Sequence, residues 1–367
     1  MYLIFVAAEA VPFAKKGGVA DIVGCLPREL EYAGHRVQII LPLHQKIARD
    51  GLQPQKINLS VSLGGKEEAF SLWKGTLPDS EIPIYFVENP HYFDREEIYG
   101  FYKDNDERYA FFSLAVLETI QALKIPCQVL HLHDWPTALI PIYLEKKYRN
   151  FSHFRNISTL LTLHNLIYQG LFPKDHLTRL DLPTESFHWQ EIEFYGQINF
   201  LKTGLIFADR ISTVSPTHAL DIQSELYGYQ LEGIFQTRKD DLVGIVNGVD
   251  YSIWNPISDP YIPYNYTDTD LSGKKFCKYH LQKKLGLDRS DRPLLAMISR
   301  LDRFKGIDLV IKILPDLLKT HQLQFVLLGE GEASFIQLLQ KIRDDFPTQF
   351  AVHFSYNNEL AHLLEAG

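Results

Sequence analysis

YLIFVAAEAVPFAKKGGVADIVGCLPRELEYAGHRVQIIL occupies residues 2–41, and its rhythm decides the fold. Tyr2 to Ala7 is a short apolar run. The pair Gly17-Gly18 follows, and Val19 to Ala33 carries apolar residues at helical spacing until Gly34 ends the pattern. Arg36 to Leu41 is apolar again. Strand, glycine turn, helix and strand in that order are the pieces of a parallel βαβ unit. Further along, the runs Ile82 to Val87, Gln128 to His133 and Ser158 to Leu163 alternate with helical patterns at Arg108 to Leu123 and Pro136 to Lys147. This alternation predicts an α/β protein with a mainly parallel sheet covered on both faces.

The chain has 367 residues, which at ~150 residues per domain suggests two domains. We place the first at residues 1–243 and the second at 244–367. Between Asn255 and Gly273 the composition shifts to Pro, Tyr, Asp, Asn and Thr without a period, as expected of a loop or linker. Beyond it lie three strand-helix units. Leu294 to Ile298 precedes a helix from Gly306 to Lys319, with a kink expected at Pro315. Phe325 to Leu328 precedes Ala333 to Ile342, and Ala351 to Ser355 precedes Glu359 to Glu365. A complete doubly wound sheet has about six strands in the order 3-2-1-4-5-6. The predicted architecture is therefore two Rossmann-like domains facing a cleft, the second incomplete.

Composition narrows the function. Apolar residues make up 46% and charged residues 22%, ordinary for a globular protein. With 37 Lys and Arg against 45 Asp and Glu the net charge is -8, which disfavours a nucleic-acid surface and leaves room for a local basic pocket. Cys25, Cys127 and Cys277 lack C-x-x-C spacing, so neither a disulfide framework nor a zinc site is expected, and a reducing compartment fits. Glu9 interrupts the apolar amino terminus and Lys15 and Lys16 come after it, the reverse of a signal peptide. No stretch reaches the roughly eighteen uncharged residues of a membrane span. The expected location is the cytoplasm, with the plastid stroma left open.

Ligands of parallel sheets bind outside the carboxyl ends of the strands. Glu9 and Lys15 follow the first strand, His133 and Asp134 end a later one, and His164 and Asn165 end another. Arg300 and Lys305 follow the first strand of the second domain. Lys15-Lys16-Gly17-Gly18 precedes a helix, where glycines let backbone N–H groups approach an anion; the same four residues also suit an ordinary exposed turn. The spacing is not that of a P-loop. Gly329 and Gly331 follow a strand, but Ser334 breaks the dinucleotide fingerprint, so a nicotinamide enzyme is disfavoured. Arg300 and Lys305 could neutralise a diphosphate without a metal, unless Asp302 simply pairs with one of them. His131, His133 and Asp134 lack a third ligand at suitable spacing, and no metal is expected. His164 could equally be a core histidine. Asp221, Glu225 and Glu232 are read as solvated and given no chemistry.

The combination is more specific than its parts. Glu9 to Asp21 (EAVPFAKKGGVAD) resembles the amino-terminal signature of bacterial glycogen synthases and plant starch synthases, family 5 glycosyltransferases of GT-B fold. Similar landmarks follow in the same order: HLHDWP at 131–136, TLHNLIYQG at 162–170, NFLKTG at 199–204, ADRISTVSP at 208–216, LEG at 231–233, IVNGVDYSIWNP at 245–256 and SRLDRFKG at 299–306.

The resemblance implies retaining transfer of glucose from ADP-glucose to the non-reducing end of an α-1,4-glucan, without a metal or other cofactor. It implies donor-phosphate contacts for Lys15 and Gly18, with Gly17, Asp21, Asn165 and Asn247 also on the substrate. Arg300 and Lys305 match the cations on departing ADP, His164 the histidine beside the sugar, Asp134 an active-site aspartate, Glu9 the acceptor side, and Tyr356 the aromatic on adenine. Three features depart from the pattern. Pro136 stands where His or Gln is usual, and Phe304 where Gln is. The family's E-P-C-G-L-T-Q segment and its later glycine-rich turn are not found before Gly367. The chain alone is therefore expected to transfer little glucose. A glucan-binding or regulatory protein, and a GT-B enzyme with another acceptor, are the alternatives.

Overall fold

The computed structural model describes residues 1–367 and divides into two compact units, Met1–Gly248 and Val249–Gly367. At the centre of the first is β1 (Tyr2–Val6), whose alternate side chains feed two separate cores. Ile4 and Val6 pack on one face, Leu3 and Phe5 on the other, and both faces are dry. That is why the run is continuously apolar rather than alternating.

The strands of this unit are β2 (Arg36–Pro42), β3 (Gln53–Leu63), β4 (Lys66–Thr76), β5 (Pro83–Glu88), β6 (Val129–His133), β7 (Ser158–Leu163), β8 (Leu171–Pro173), β9 (Glu193–Phe194), β10 (Gln197–Asn199), β11 (Arg210–Thr213) and β12 (Leu242–Gly244). With β1, eight of them form one sheet in the order β12-β11-β7-β6-β1-β2-β5-β4-β3, and β8-β10-β9 form a small separate one. From β12 to β5 all neighbours are parallel. The chain leaves β1 toward β2 and later returns to build outward from β6 on the other side. This reversal puts the topological switch point at the carboxyl ends of β1 and β6.

Three local readings differ from expectation. The antiparallel hairpin β3–β4 adds an edge to the parallel sheet, turning through Gly64 and Gly65 at φ of +59° and +76°. Two consecutive positive-φ glycines are the mark of a primed hairpin turn. The helix expected over Pro136 to Lys147 is broken into a 3₁₀ turn (Trp135–Thr137), one α turn (Ile140–Tyr143) and a π segment (Leu144–Tyr148). Pro136 and Pro141 have no N–H to give the helical ladder. A helix at Ser272–Leu285 begins where the linker was expected to end; its charged surface hides the apolar stripe of Cys277 and Leu281.

The second unit holds a parallel sheet β13-β14-β15 (Leu294–Ile298, Gln324–Leu328, Phe350–His353). Helices Ile307–Thr320 (with Pro315 inside it), Ala333–Asp345 and Asn358–Ala366 follow these strands in turn. Gly329 and Gly331 have a local purpose. A Cβ on Gly329 would lie 1.8 Å from the Ser299 carbonyl oxygen, and one on Gly331 2.3 Å from that of Leu301. The two glycines let the turn after β14 press against the loop that carries Arg300, and Leu301 N–H donates to the Glu330 carbonyl at 2.8 Å. No helix of the chain is long and apolar enough to cross a membrane.

One glycine of the first unit ties fold to site. The helix α1 (Gly18–Tyr32) lies against the segment after β1, where Val11 N–H donates to the Ala20 carbonyl at 3.0 Å. A Cβ on Gly24 would stand 2.3 Å from a Val11 methyl and 2.8 Å from its carbonyl oxygen. Alanine favours a helix by ~1 kcal/mol over glycine, while overpacking costs roughly 1–3 kcal/mol. Backbone on one side of the clash cannot rotate away, so packing should win. Gly24→Ala is expected to lower the thermal midpoint despite its better helix propensity; an unchanged or raised midpoint by calorimetry would contradict this close-packing role.

Candidate active site

Three adjacent strands, β1, β6 and β7, end at the switch point of the first unit and bring together residues far apart in sequence. Glu9 follows β1, Asp134 follows β6 and His164 follows β7. Their hydrogen bonds join the three loops.

Glu9 is buried, and its carboxylate takes three donors. Tyr99 Oη–H donates at 2.9 Å, Gly17 N–H at 2.9 Å, and Lys16 N–H completes the set. The two backbone N–H groups lie at the start of a helix, where amides have no intrahelical acceptor and need one from elsewhere. The lysine-glycine turn therefore already holds an anion supplied by the protein. Lys15 pairs with Asp21 at 2.7 Å, both of them half-exposed. Gly18 opens α1 with no side-chain cap, leaving its first-turn N–H groups for solvent or a ligand.

Asp134 bridges the next two loops. Its Oδ1 accepts from the backbone N–H of His164 at 2.7 Å and of Asn165 at 3.4 Å, and its own N–H donates to the Thr162 carbonyl at 3.0 Å. Asn165 folds its side chain back to accept from Ile167 N–H at 2.8 Å. The Asp134 backbone sits at φ +54°, ψ -170°, a region costing on the order of 1–3 kcal/mol for a residue with a Cβ. Burial pushes its carboxyl up to about 7, with the Glu9 charge adding to the rise and the two backbone bonds opposing it.

Behind this edge stand three histidines. His164 Nε2 is 3.0 Å from His133 Nδ1, His133 stacks on His131 at 4.4 Å, and His131 Nε2 meets Thr162 Oγ1 at 2.7 Å. Burial lowers His164 to about 4 and His131 to about 3, and drives His133 well below the usual imidazole range. All three are neutral at pH 7. His131 and His133 are thus occupied within the protein, and no group of three or more His, Cys, Asp or Glu is arranged to hold a metal.

In the second unit, Arg300 and Lys305 follow β13 and Tyr356 follows β15, all on the carboxyl edge of that sheet and all exposed. Asp302 shapes the cationic loop: it accepts from Lys305 N–H at 3.1 Å and lies 3.5 Å from the Arg300 guanidinium. The pairing weighed against a phosphate role does exist, at the long end of the range and exposed to water. Lys305 Nζ has no carboxylate partner. Tyr356 Oη donates to Asn358 Oδ1 at 3.1 Å, which leaves its ring face open. Asn247 lies exposed after β12 at the end of the first unit.

Sequence reading missed Tyr99 and the role of His133. Tyr99 sits in a loop with no period, and no local signal marks a tyrosine that will reach a carboxylate 90 residues away. For His133 the sequence gives a strand-end position and argues against a metal, but no motif marks it as the partner of His164.

Two α/β units with polar groups at the carboxyl ends of parallel strands fit enzymes that bind ligands there, and similarity to known proteins gives the class. The starch synthase catalytic domain model matches residues 2–237. The glycogen synthase of Fervidobacterium nodosum is 40% identical across the whole chain, which spans 77% of that relative. That of Syntrophotalea carbinolica is 39% identical with the same coverage. The catalytic domain of starch synthase IV from Arabidopsis thaliana, solved with ADP and acarbose, superposes with a TM-score of 0.90 at 29% identity, over all of this chain and 76% of that one. The chain belongs to the glycogen synthase and starch synthase family, glycosyltransferases of GT-B fold.

The raised Asp134 carboxyl sets a pH test. Unfolded, the group ionises near ~4; folded, near about 7. Between these values the folded state holds the extra proton, so Asp134 costs stability increasingly as pH rises through this window, and fully above it. Asp134→Asn keeps an oxygen for the His164 and Asn165 amides but has no charge to bury. Relative to wild type it should gain in urea midpoint from pH 4 to pH 8. An equal difference at both pH values would show that Asp134 ionises normally.

Proposed function

We propose that this chain carries the glucosyl-transfer chemistry of its family: ADP-glucose as donor, the non-reducing end of an α-1,4-glucan as acceptor, and retention at the anomeric carbon. The observation that carries the reading is the convergence of Glu9, Asp134 and His164 on adjacent strand ends at the switch point, in a chain 40% identical to a glycogen synthase along its whole length. The starch synthase IV structure, with ADP and acarbose bound, supports the nucleotide and glucan classes.

Each residue then has a task. Arg300 offers a planar fork and Lys305 a point charge to the diphosphate, cancelling the negative charge that builds as the glycosidic bond to the sugar breaks. Tyr356 presents an open ring to adenine. The free N–H groups at Gly18 and beyond offer a further phosphate contact, and Lys15 can join them by leaving Asp21, since an exposed pair is worth only about 0–1 kcal/mol. Gly17 keeps the turn thin. Asp21, Asn165 and Asn247 border the substrate. Neutral His164 sits beside the sugar, and Asp134 fixes its loop. Glu9 holds the turn on the acceptor side. None of these steps uses a metal.

The test is equilibrium binding of ADP, ADP-glucose and UDP-glucose by calorimetry, glycogen cosedimentation, and transfer of labelled glucose, each with wild type, Arg300→Ala and Lys305→Ala. A charge-assisted hydrogen bond is worth ~1.5–3 kcal/mol, so each variant should weaken ADP binding about ten- to a hundredfold. Glycogen binding should be unaffected. ADP affinity unchanged in both variants would refute the assignment of the cations. Glycogen binding with no nucleotide binding would replace the transferase by a glucan-binding protein.

A further inference from the structure

The histidines of β6 and of the loop after β7 decide where one proton sits. A hydrogen bond between two neutral imidazole nitrogens uses one hydrogen: either His164 Nε2–H donates to His133 Nδ1, or His133 Nδ1–H donates to His164 Nε2. The contact itself, at 3.0 Å, fits both. What separates them is the far side of His133. Its Nε2 is buried and has no partner in the protein.

If His164 donates, neutral His133 must carry its own proton on Nε2, and that N–H is buried with nothing to receive it. If His133 donates, Nε2 keeps only a lone pair. Orphaned buried N–H groups are the rarer of the two defects. Nor do the neighbouring rings rescue the donor. Phe5 and His131 lie nearly parallel to His133, with interplanar angles of 26° and 29° at 5.6 and 4.4 Å. A hydrogen in the plane of His133 points past such faces, not into them. His164, by contrast, is only partly buried. Its Nδ1 can be satisfied by water or ligand in either form, so the choice is made at His133 Nε2.

We infer that His133 is a positioning residue that holds His164 in the Nδ1–H tautomer, so that His164 shows a hydrogen-bond donor, and no lone pair, to the substrate. His164 can then bond to a hydroxyl oxygen of the sugar. It cannot take a proton from the attacking glucan hydroxyl at Nδ1, because that nitrogen is already protonated. Burial keeps His133 neutral across the working pH range, so the arrangement persists there. The same ring is locked from three sides, by the His131 stack, by Phe5, and by the backbone, where His133 N–H donates to Thr137 Oγ1 at 2.8 Å.

The inference rests on His164 lying beside the sugar only for its catalytic meaning; the tautomer is read without turnover. The 14 histidines of the full chain are labelled with ¹⁵N, and His164 is assigned by the signals lost in His164→Gln. Long-range ¹H–¹⁵N correlation should show a protonated Nδ1 and a bare Nε2 at His164. A proton on Nε2 in the wild type overturns the proposal, whatever the variants do. His133→Phe keeps a ring in the stack and removes the donor, and should let His164 redistribute between tautomers. His133→Asn places an amide N–H near the lost donor and should restore the Nδ1–H form. In transfer assays His133→Phe should lower kcat about tenfold with little change in KM for ADP-glucose, and His133→Asn should recover part of it. A pure Nδ1–H signal surviving in His133→Phe would show that His133 does not set it. Because little transfer is expected of the chain alone, absence of transfer in every protein would leave the decision to the tautomer signals, which are read without turnover.

Discussion

The carboxylate of Asp134 is the tie on which the first unit's site depends. It lies at the end of β6 and accepts the backbone N–H groups of His164 and Asn165 at the end of β7. A strand end has unpaired amides, and these must find partners or water. Asp134 supplies one in a recessed place, at the cost of a strained backbone and a raised carboxyl. Both costs are local, and both are held by the packed sheet underneath. The result is that the His164 loop has a defined position relative to the His133 ring, and hence a defined proton.

Glu9 ties the neighbouring loop by the same kind of hydrogen bond. Where Asp134 is made hard to ionise, Glu9 faces three donors, two of them backbone amides at the start of α1. Two carboxylates on neighbouring strand ends thus receive different environments. The three neutral imidazoles of β6 and the loop after β7 add no positive charge near Asp134. In the second unit the charge is reversed. Arg300 and Lys305 project from a loop whose shape depends on Asp302 as a cap and on two glycines that admit a neighbouring turn.

Most of the fold was legible in the order of apolar runs and turns. The strands β1, β2, β5, β6, β7, β13, β14 and β15 fall within a residue or two of where the apolar runs place them; a strand buried on both faces, such as β1, must be apolar throughout, while β13 is an apolar run left partly exposed. The hairpin β3–β4 escaped because its edge position makes it half polar. The segment after β6 escaped because Pro136 and Pro141 break a ladder that the apolar spacing alone would have continued. The motifs gave Glu9, Lys15, Asp134, His164, Arg300 and Lys305 as a group, since each follows a predicted strand and ligands gather at such ends.

By itself, then, the sequence determined the α/β class, the family, and which residue types lie on the strand ends, for these follow from local periodicity and short motifs. Only the tertiary structure decided which of those groups meet. Strand order is set by long-range pairing, and it alone puts β1, β6 and β7 side by side. Tyr99 reaching Glu9, His133 reaching His164, and the burial of His133 Nε2 without a partner all depend on segments distant in sequence. Their energies depend on burial and direction, which no spacing along a chain can encode.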